Sequence, residues 1–286
     1  MHALATIAVL IITALASFYA FQRPDLRERW IFNPQAILLH KEHYRMLTCG
    51  LIHRDWFHFA FNAFSFYSFA RIIELVYGSG TMLLVYAASI AGGSVLSLII
   101  HRHHEYRALG ASGGVCGIIF ASIFLLPGNS VIMFPFPFGV PGCLYAPIFL
   151  VGSLVAHRRQ ADNIGHDAHL GGAVVGLLVT TALYPRSVSA APWMFATVWT
   201  LSLVILAVLV FDPLNLMKWP LETKEEPKGG ERDRRYQENR ERNQKLAQMD
   251  GLLDKVARNG IQSLSTSQRQ QLEQLSKELY GHSCTR

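Results

Sequence analysis

Charge is what this sequence has least of. Only 16% of its residues are Asp, Glu, Lys or Arg, and from Ala108 to Ala156 there is none of these and no histidine. A soluble domain cannot present so long an uncharged stretch to water, and a chain that is 51% apolar with mean hydropathy +0.23 is not intrinsically disordered as a whole. Paired cysteines are missing as well: Cys49, Cys116, Cys143 and Cys284 are scattered without CxxC spacing. That excludes a disulfide-stapled secreted scaffold and leaves them as small core residues or, for Cys284, a tail thiol. No HExxH occurs, which disfavours an intramembrane metalloprotease, and no pair of carboxylates lies mid-run as an aspartyl protease would need. A strong charge imbalance is also absent. Residues 1–217 hold 12 Lys/Arg against 9 Asp/Glu and residues 218–286 hold 14 against 11, so neither part is a nucleic-acid-binding polycation.

What the sequence does have is apolar runs of membrane-spanning length. A bilayer core takes about 20 apolar residues per helix, and runs free of charge fall at Ala3–Phe21, Trp56–Tyr77, Thr81–Ile100, Ser112–Leu126, Gly142–Ala156, His169–Tyr184 and Pro192–Phe211. The first has neither a basic start nor a small-residue cleavage site and reads as a retained helix. The expected fold is therefore all-α, a polytopic helical bundle in a lipid bilayer. Residues 1–190 form a six-helix core, 191–217 a seventh span, 218–245 a charged linker and 246–286 a small helical module. Pro127, Pro135, Pro137 and Pro141 break the chain between the fourth and fifth spans into a hydrophobic loop or re-entrant turn. Gly113/Gly117 and Gly172/Gly176, each four residues apart, make flat helix faces that a neighbouring backbone can approach closely. In the tail, Ser265 and Gln268 have the spacing of a capping box, with a helical hairpin expected around Gly260.

Polar groups inside a membrane cost several kcal/mol unless satisfied, so those near the spans are the first functional suspects. The second, fourth and sixth spans enter from one face, and each opens with polar residues: His58 and Asn62, Ser112 between Gly110 and Gly113, and His166 with His169. A helix rises about 1.5 Å per residue, which keeps these groups at a similar depth, so they converge on one shallow site. A serine and a histidine on adjacent helices form a nucleophile and its general base. His58, Asn62 and the backbone amide of Ser112 are candidate donors to an oxyanion. Taken alone, Ser112 reads as a packing or capping residue and only its partners reverse that, while His58 and Asn62 read equally as groups that satisfy loop backbone. His101, His103 and His104 read as a solvated face, His166 as a neighbour of His169 and not one of a metal pair, and Cys116 as packing. No metal or cofactor is called for.

The three polar openings resemble the motifs of the rhomboid intramembrane serine proteases, over roughly Tyr44–Tyr184. Gly110-Ala111-Ser112-Gly113 is similar to the family's GxSG, Ala168-His169-Leu170-Gly171-Gly172 with Gly176 to its AHxxGxxxG, and His58 to Asn62 to its HxxxN. The resemblance implies that Ser112 is the nucleophile, that His169 is the base, and that His58 and Asn62 stabilise the oxyanion. It also implies transmembrane protein substrates and a location in a bacterial cytoplasmic membrane. Looser matches make Tyr44-Arg45 the counterpart of a Trp-Arg pair and Glu74 the acid partnering Arg45. The tail looks like a short module found after many bacterial rhomboid cores. A non-catalytic relative that binds client transmembrane helices is the competing reading, with a small transporter behind it. The family places the catalytic face outside the cytoplasm, whereas the loops on that face hold 10 Lys/Arg against 2 on the other. By the positive-inside rule that count turns the face inward.

Overall fold

The computed structural model describes residues 3–103, 105–128, 130–132, 139–159 and 164–211, and in the tail 245, 248–249, 251–253, 255–256 and 260–280. Two compact units are present, Met1–Leu221 and Glu222–Arg286, so the apolar helix after residue 190 belongs with the membrane body.

The first unit opens with α1 (Leu4–Gln22), followed by the short α2 (Pro24–Trp30), α3 (Pro34–Leu39) and α4 (Arg45–Thr48). Pro24 and Pro34 sit at the starts of their helices, where a missing amide hydrogen costs nothing. Asn33 caps α3 by accepting from the Gln35 and Ala36 N–H groups. Next comes α5 (Trp56–Tyr77), capped by the Asp55 carboxylate, which accepts from the His58 N–H at 2.7 Å. It ends at Gly78, whose φ of +88° suits glycine and turns the chain directly into α6 (Ser79–His101). Then follow α7 (Ser112–Leu125), α8 (Gly142–Arg159), α9 (His166–Leu183), the short α10 (Arg186–Ala190) and α11 (Pro192–Phe211). The seven expected runs thus all fall in helices, α1, α5, α6, α7, α8, α9 and α11. Of these, α1, α5, α6 and α11 are long and apolar enough to cross a membrane, and α7 and α8 are shorter apolar helices.

The proline-rich connection between α7 and α8 is not wholly irregular. Ser130–Ile132 (β1) pairs antiparallel with Gly139–Pro141 (β2), Ser130 opposite Pro141, and residues 133–138 lie outside the described residues. Pro141 ends the ladder, where its missing N–H interrupts nothing.

A buried apolar core that includes Phe66, Ile118, Phe120, Leu170 and Leu177 is joined here by an outer surface unlike that of a water-soluble bundle. Large apolar side chains point outward, among them Leu4, Phe57, Ile148 and Phe211, the last 77% exposed. Thr6, Thr13, Ser17, Ser89, Ser94 and Ser97 are buried between helices. Lipid offers no hydrophobic reward for hiding leucine, so interfaces select small side chains and matched hydrogen bonds. An integral, multi-pass membrane protein follows from that pattern and the four long apolar helices. At its centre α6, α7 and α9 meet backbone to backbone. A Cβ on Gly172 would lie 2.0 Å from the Gly113 carbonyl oxygen, and one on Gly176 would lie 2.5 Å from Gly117. The two glycine pairs legible in the sequence therefore face each other across the α7–α9 contact. Cys49 and Cys116 are buried free thiols and Cys143 is a half-buried one.

In the second unit, the Ser265 N–H donates to Gln268 Oε1 and the Gln268 N–H to Ser265 Oγ, both at 3.2 Å, closing the expected capping box at the start of α12 (Thr266–Tyr280). Gly260 turns the chain with φ +75°, and Met249, Leu264 and Leu275 are buried. The charged segment 218–245, apart from Lys245, and Cys284 lie outside the described residues.

Candidate active site

Ser112 is the first residue of α7, and the turn that delivers it is built on glycine. Gly110 has φ +130°, a conformation other residues rarely adopt, and a Cβ there would lie 2.7 Å from His58 Cε1. The His58 ring therefore covers the chain two residues ahead of Ser112. The Gly110 N–H donates to the Cys49 carbonyl at 2.9 Å, and the Ala111 N–H to His53 Nε2 at 3.3 Å. His169 lies in the first turn of α9, and its Nε2 is 2.7 Å from Ser112 Oγ, a contact between residues 57 apart in the chain. The preceding Ala168 carbonyl projects between α6 and α7. A Cβ on Gly93 would lie 2.5 Å from its oxygen, and one on Gly113 3.1 Å. Close helix approach at these glycines is what brings the imidazole within hydrogen-bond reach of the hydroxyl. A shallow depression beside Ser112 is lined by Cys49, Ser94, Gly110, Gly113, Gly165 and Ala168.

His58 and Gly113 border Ser112, as just described. The His166 ring lies 5.8 Å from that of His169, edge to face, and no group of three His, Cys, Asp or Glu suited to a metal ion occurs among the described residues. Asn62 is buried, and its amide nitrogen donates to the His58 carbonyl at 2.9 Å, back into its own helix. One of its two N–H groups is thereby engaged.

Arg45 and Glu74 do not form a pair. The Arg45 guanidinium binds Glu42 and the Glu28 and Ile31 carbonyls. Glu74 lies near the far end of the 22-residue α5, about 27 Å from its start by helix rise. There its oxygens accept from the Ala5 N–H at 2.8 Å, the Thr6 N–H at 2.7 Å, the Thr6 hydroxyl at 2.6 Å and the Ser79 hydroxyl at 2.9 Å. This carboxylate caps α1, whose own Ala3 offers no capping side chain. Glu74→Gln replaces one acceptor oxygen by an N–H that meets other donors. We expect a loss of about 1–3 kcal/mol in the detergent-solubilised protein, read as a lower unfolding midpoint with the position of Ser112 unaffected.

One residue of the site was not singled out in the sequence. His53 is fully buried, and the Ala111 N–H donating to Nε2 assigns the ring proton to Nδ1, which lies 3.0 Å from Ser17 Oγ. Ser17 reaches on to the Leu51 carbonyl at 3.4 Å. This chain ties α1 and the loop before α5 to the residue preceding Ser112. His53 stands next to Arg54-Asp55, and nothing local in the sequence marks it as buried. Burial pushes its pKa down from the ordinary 6.5 to about 3, so the folded protein holds it neutral. Below pH 6.5 the unfolded chain takes up a proton that the folded one refuses. Its contribution to stability is thus present above 6.5 and falls by up to about 1.4 kcal/mol per pH unit as the pH drops toward 3. Equilibrium unfolding followed over this range should show that slope, and His53→Gln should flatten it.

His101, expected on a solvated face, is instead mostly enclosed at the end of α6. Its ring stacks on Tyr106 with centroids 3.6 Å apart and planes at 4°. Apolar periodicity carries no information on that stacking, because Tyr106 arrives from a connection outside the helix.

A Rhomboid domain model matches residues 40–186, which include Ser112, His169 and the α6–α7–α9 contact, and the tail matches a family of unknown function (DUF6576) over residues 232–278. Similar proteins include the Rhomboid protease GluP of Bacillus subtilis, 28% identical over 148 residues that cover 52% of this chain and 27% of the relative. Rhomboid protein 1, mitochondrial, of Saccharomyces cerevisiae is 24% identical over 174 residues, 57% of this chain and 49% of the relative. The putative rhomboid protease YdcA of Bacillus subtilis is 32% identical over 85 residues, 30% of this chain and 42% of the relative. The matched regions thus span about a quarter to a half of those relatives' lengths. With the domain model covering half of its length at the site just described, this chain belongs to the rhomboid family.

Proposed function

We propose that this protein is a serine endopeptidase that cleaves transmembrane helices of other membrane proteins, with Ser112 as nucleophile and His169 as general base. The observation that carries the reading is the 2.7 Å approach of His169 Nε2 to Ser112 Oγ. His169 takes the hydroxyl proton as Ser112 Oγ attacks the scissile carbonyl, and returns it to the leaving amine. The substrate acyl group then sits on Ser112 until His169 activates a water to release it. Negative charge developing on the carbonyl oxygen meets the start of α7, where the first backbone N–H groups have no helical partner. The His58 ring over Gly110 and the second N–H of Asn62 are the side-chain candidates to join them. A peptide bond within a helix is shielded by its own hydrogen bonds, so substrates with glycine or proline near the cleavage point are favoured. The protein works within the bilayer, and the reading places it in a bacterial cytoplasmic membrane.

Purified protein in liposomes, given a helix-destabilised transmembrane substrate, should cleave it, and Ser112→Ala should not. Turnover retained in Ser112→Ala, or no cleavage of several substrates by demonstrably folded wild type, would overturn the proposal. The second result would move the protein to the client-binding class.

A further inference from the structure

The reading above uses Ser112 and His169 but leaves unexplained a fully buried acid two residues before the histidine. Asp167 is 1% exposed. Its Oδ2 lies 3.2 Å from His101 Nε2, at the end of α6, and its Oδ1 accepts from the Tyr106 hydroxyl at 3.4 Å. Tyr106 is pressed against the His101 ring and meets a second ring, Phe32, edge to face with centroids 6.1 Å apart. From Tyr106 the chain runs six residues to Ser112. Along that run the backbone is held by paired Phe32–Ala108 hydrogen bonds of 2.9 and 3.3 Å, and by the bond from the Gly110 N–H to Cys49. One carboxylate therefore joins three things: the first turn of the helix that carries His169, the end of α6, and the connection that delivers Ser112. A Cβ on Gly165, just before α9, would lie 3.2 Å from the Tyr106 hydroxyl, so the loop into α9 is fitted against the same ring.

We infer that Asp167 is a positioning residue: with His101 and Tyr106 it clamps the first turn of α9 to the 106–111 connection and so holds His169 against Ser112. The inference rests on the Ser112–His169 reading. The clamp acts at a distance from the reacting atoms. On the other side of the turn, the Ala168 carbonyl between Gly93 and Gly113 fixes how closely α9 approaches, but a carbonyl seated between glycines does not by itself fix rotation about the helix axis. Asp167, 200° around a 3.6-residue helix from His169, supplies a second point of attachment that does. A buried carboxylate is costly to place inside a membrane protein, and its contacts with the His101 ring and the Tyr106 hydroxyl form only where α6, the connection and α9 are correctly docked.

The test compares wild type with Asp167→Asn, Tyr106→Phe and the double variant in the full-length purified protein. Three quantities are read: the rate constant for fluorophosphonate labelling of Ser112, kcat and KM on a transmembrane substrate, and amide hydrogen exchange in the first turn of α9. For Asp167→Asn we expect labelling and kcat to fall together by about 10- to 100-fold with KM unchanged. The His169 and Leu170 amides should exchange about tenfold faster. Tyr106→Phe should do less, and the double variant no more than Asp167→Asn, because both act through one contact. A merely structural role would lower the labelled fraction and the unfolding midpoint, leaving the rate constant per folded molecule within twofold, and that result would overturn the inference. Exchange at α9 unchanged in Asp167→Asn would overturn it whether or not the protein is active. Folded wild type that fluorophosphonate does not label would instead overturn the protease reading, and with it any catalytic purpose for the clamp.

Discussion

Replacing Ser112 by alanine should reduce cleavage of a transmembrane substrate by about 10⁴- to 10⁶-fold, to the background of the assay, because the variant has no oxygen to carry the acyl group. His169→Ala should cost nearly as much, since a serine hydroxyl without a base is a poor nucleophile at neutral pH. The double variant should be no slower than either single one: the two groups act as a unit through the 2.7 Å contact, and removing one already removes the pathway. Neither change should unfold the protein. Ser112 is half-buried at a helix start and its hydroxyl bonds across the site to His169, so the unfolding midpoint should move by the loss of one hydrogen bond, about 1 kcal/mol. Fluorophosphonate should label wild type and neither single variant. Equal cleavage by wild type and Ser112→Ala would end the assignment, whatever the fate of the label.

The second large effect is expected from a methyl group. In Gly172→Ala the new Cβ would stand 2.0 Å from the Gly113 carbonyl oxygen and 2.6 Å from its carbon. Both are backbone atoms of α7 and have no rotamer by which to move aside. The α7–α9 seam must open by more than 1 Å to reach ordinary contact, and it is this seam that holds Ser112 opposite His169. We expect activity to fall by about 100-fold or more, in line with the sensitivity of catalysis to ångström-scale misplacement. A stability loss of about 1–3 kcal/mol should accompany it. Gly152→Ala in α8 is the matched control, because a Cβ there meets nothing within 4 Å. That change should leave cleavage intact and, if anything, raise the unfolding midpoint, since alanine favours helix over glycine by about 1 kcal/mol. If both alanines behave alike, the glycines are not what sets the spacing of the reacting pair.

The contrast between Glu74 and Asp167 shows how differently two buried acids can serve one fold. Glu74 caps α1 and holds the start of the bundle together, well away from the serine, so its loss should be felt in stability and not in chemistry. Asp167 lies in the first turn of the helix that carries His169 and is joined to the Ser112 connection through Tyr106, so its loss should be felt in the rate constant. Measuring both properties for both variants separates the roles.

How much of this could be read from the chain alone follows from the range of each interaction. The membrane helices were legible because a span is a local property: about 20 apolar residues in a row are a span wherever they fold, and all seven expected runs are helices here. The glycine faces and the Ser265–Gln268 box were legible for the same reason, being fixed by four- and three-residue spacing on one helix. The order of the GxSG, AHxxGxxxG and HxxxN segments made Ser112, His169, His58 and Asn62 stand out, because motif spacing is also written along the chain. What the sequence did not determine is who meets whom between helices. It suggested that Arg45 partners Glu74, whereas Arg45, on α4, takes Glu42 and Glu74, near the far end of α5, takes the start of α1. His101 read as a solvated group, and nothing along the chain singled out His53 or Asp167. Only the tertiary structure decided that His53 backs the turn before Ser112 and that Asp167 joins α9 to the connection carrying Ser112. Partners of that kind depend on the rotation and depth of each helix, which are set by backbone approach at Gly93, Gly113 and Gly172, and no pattern within a single segment encodes them.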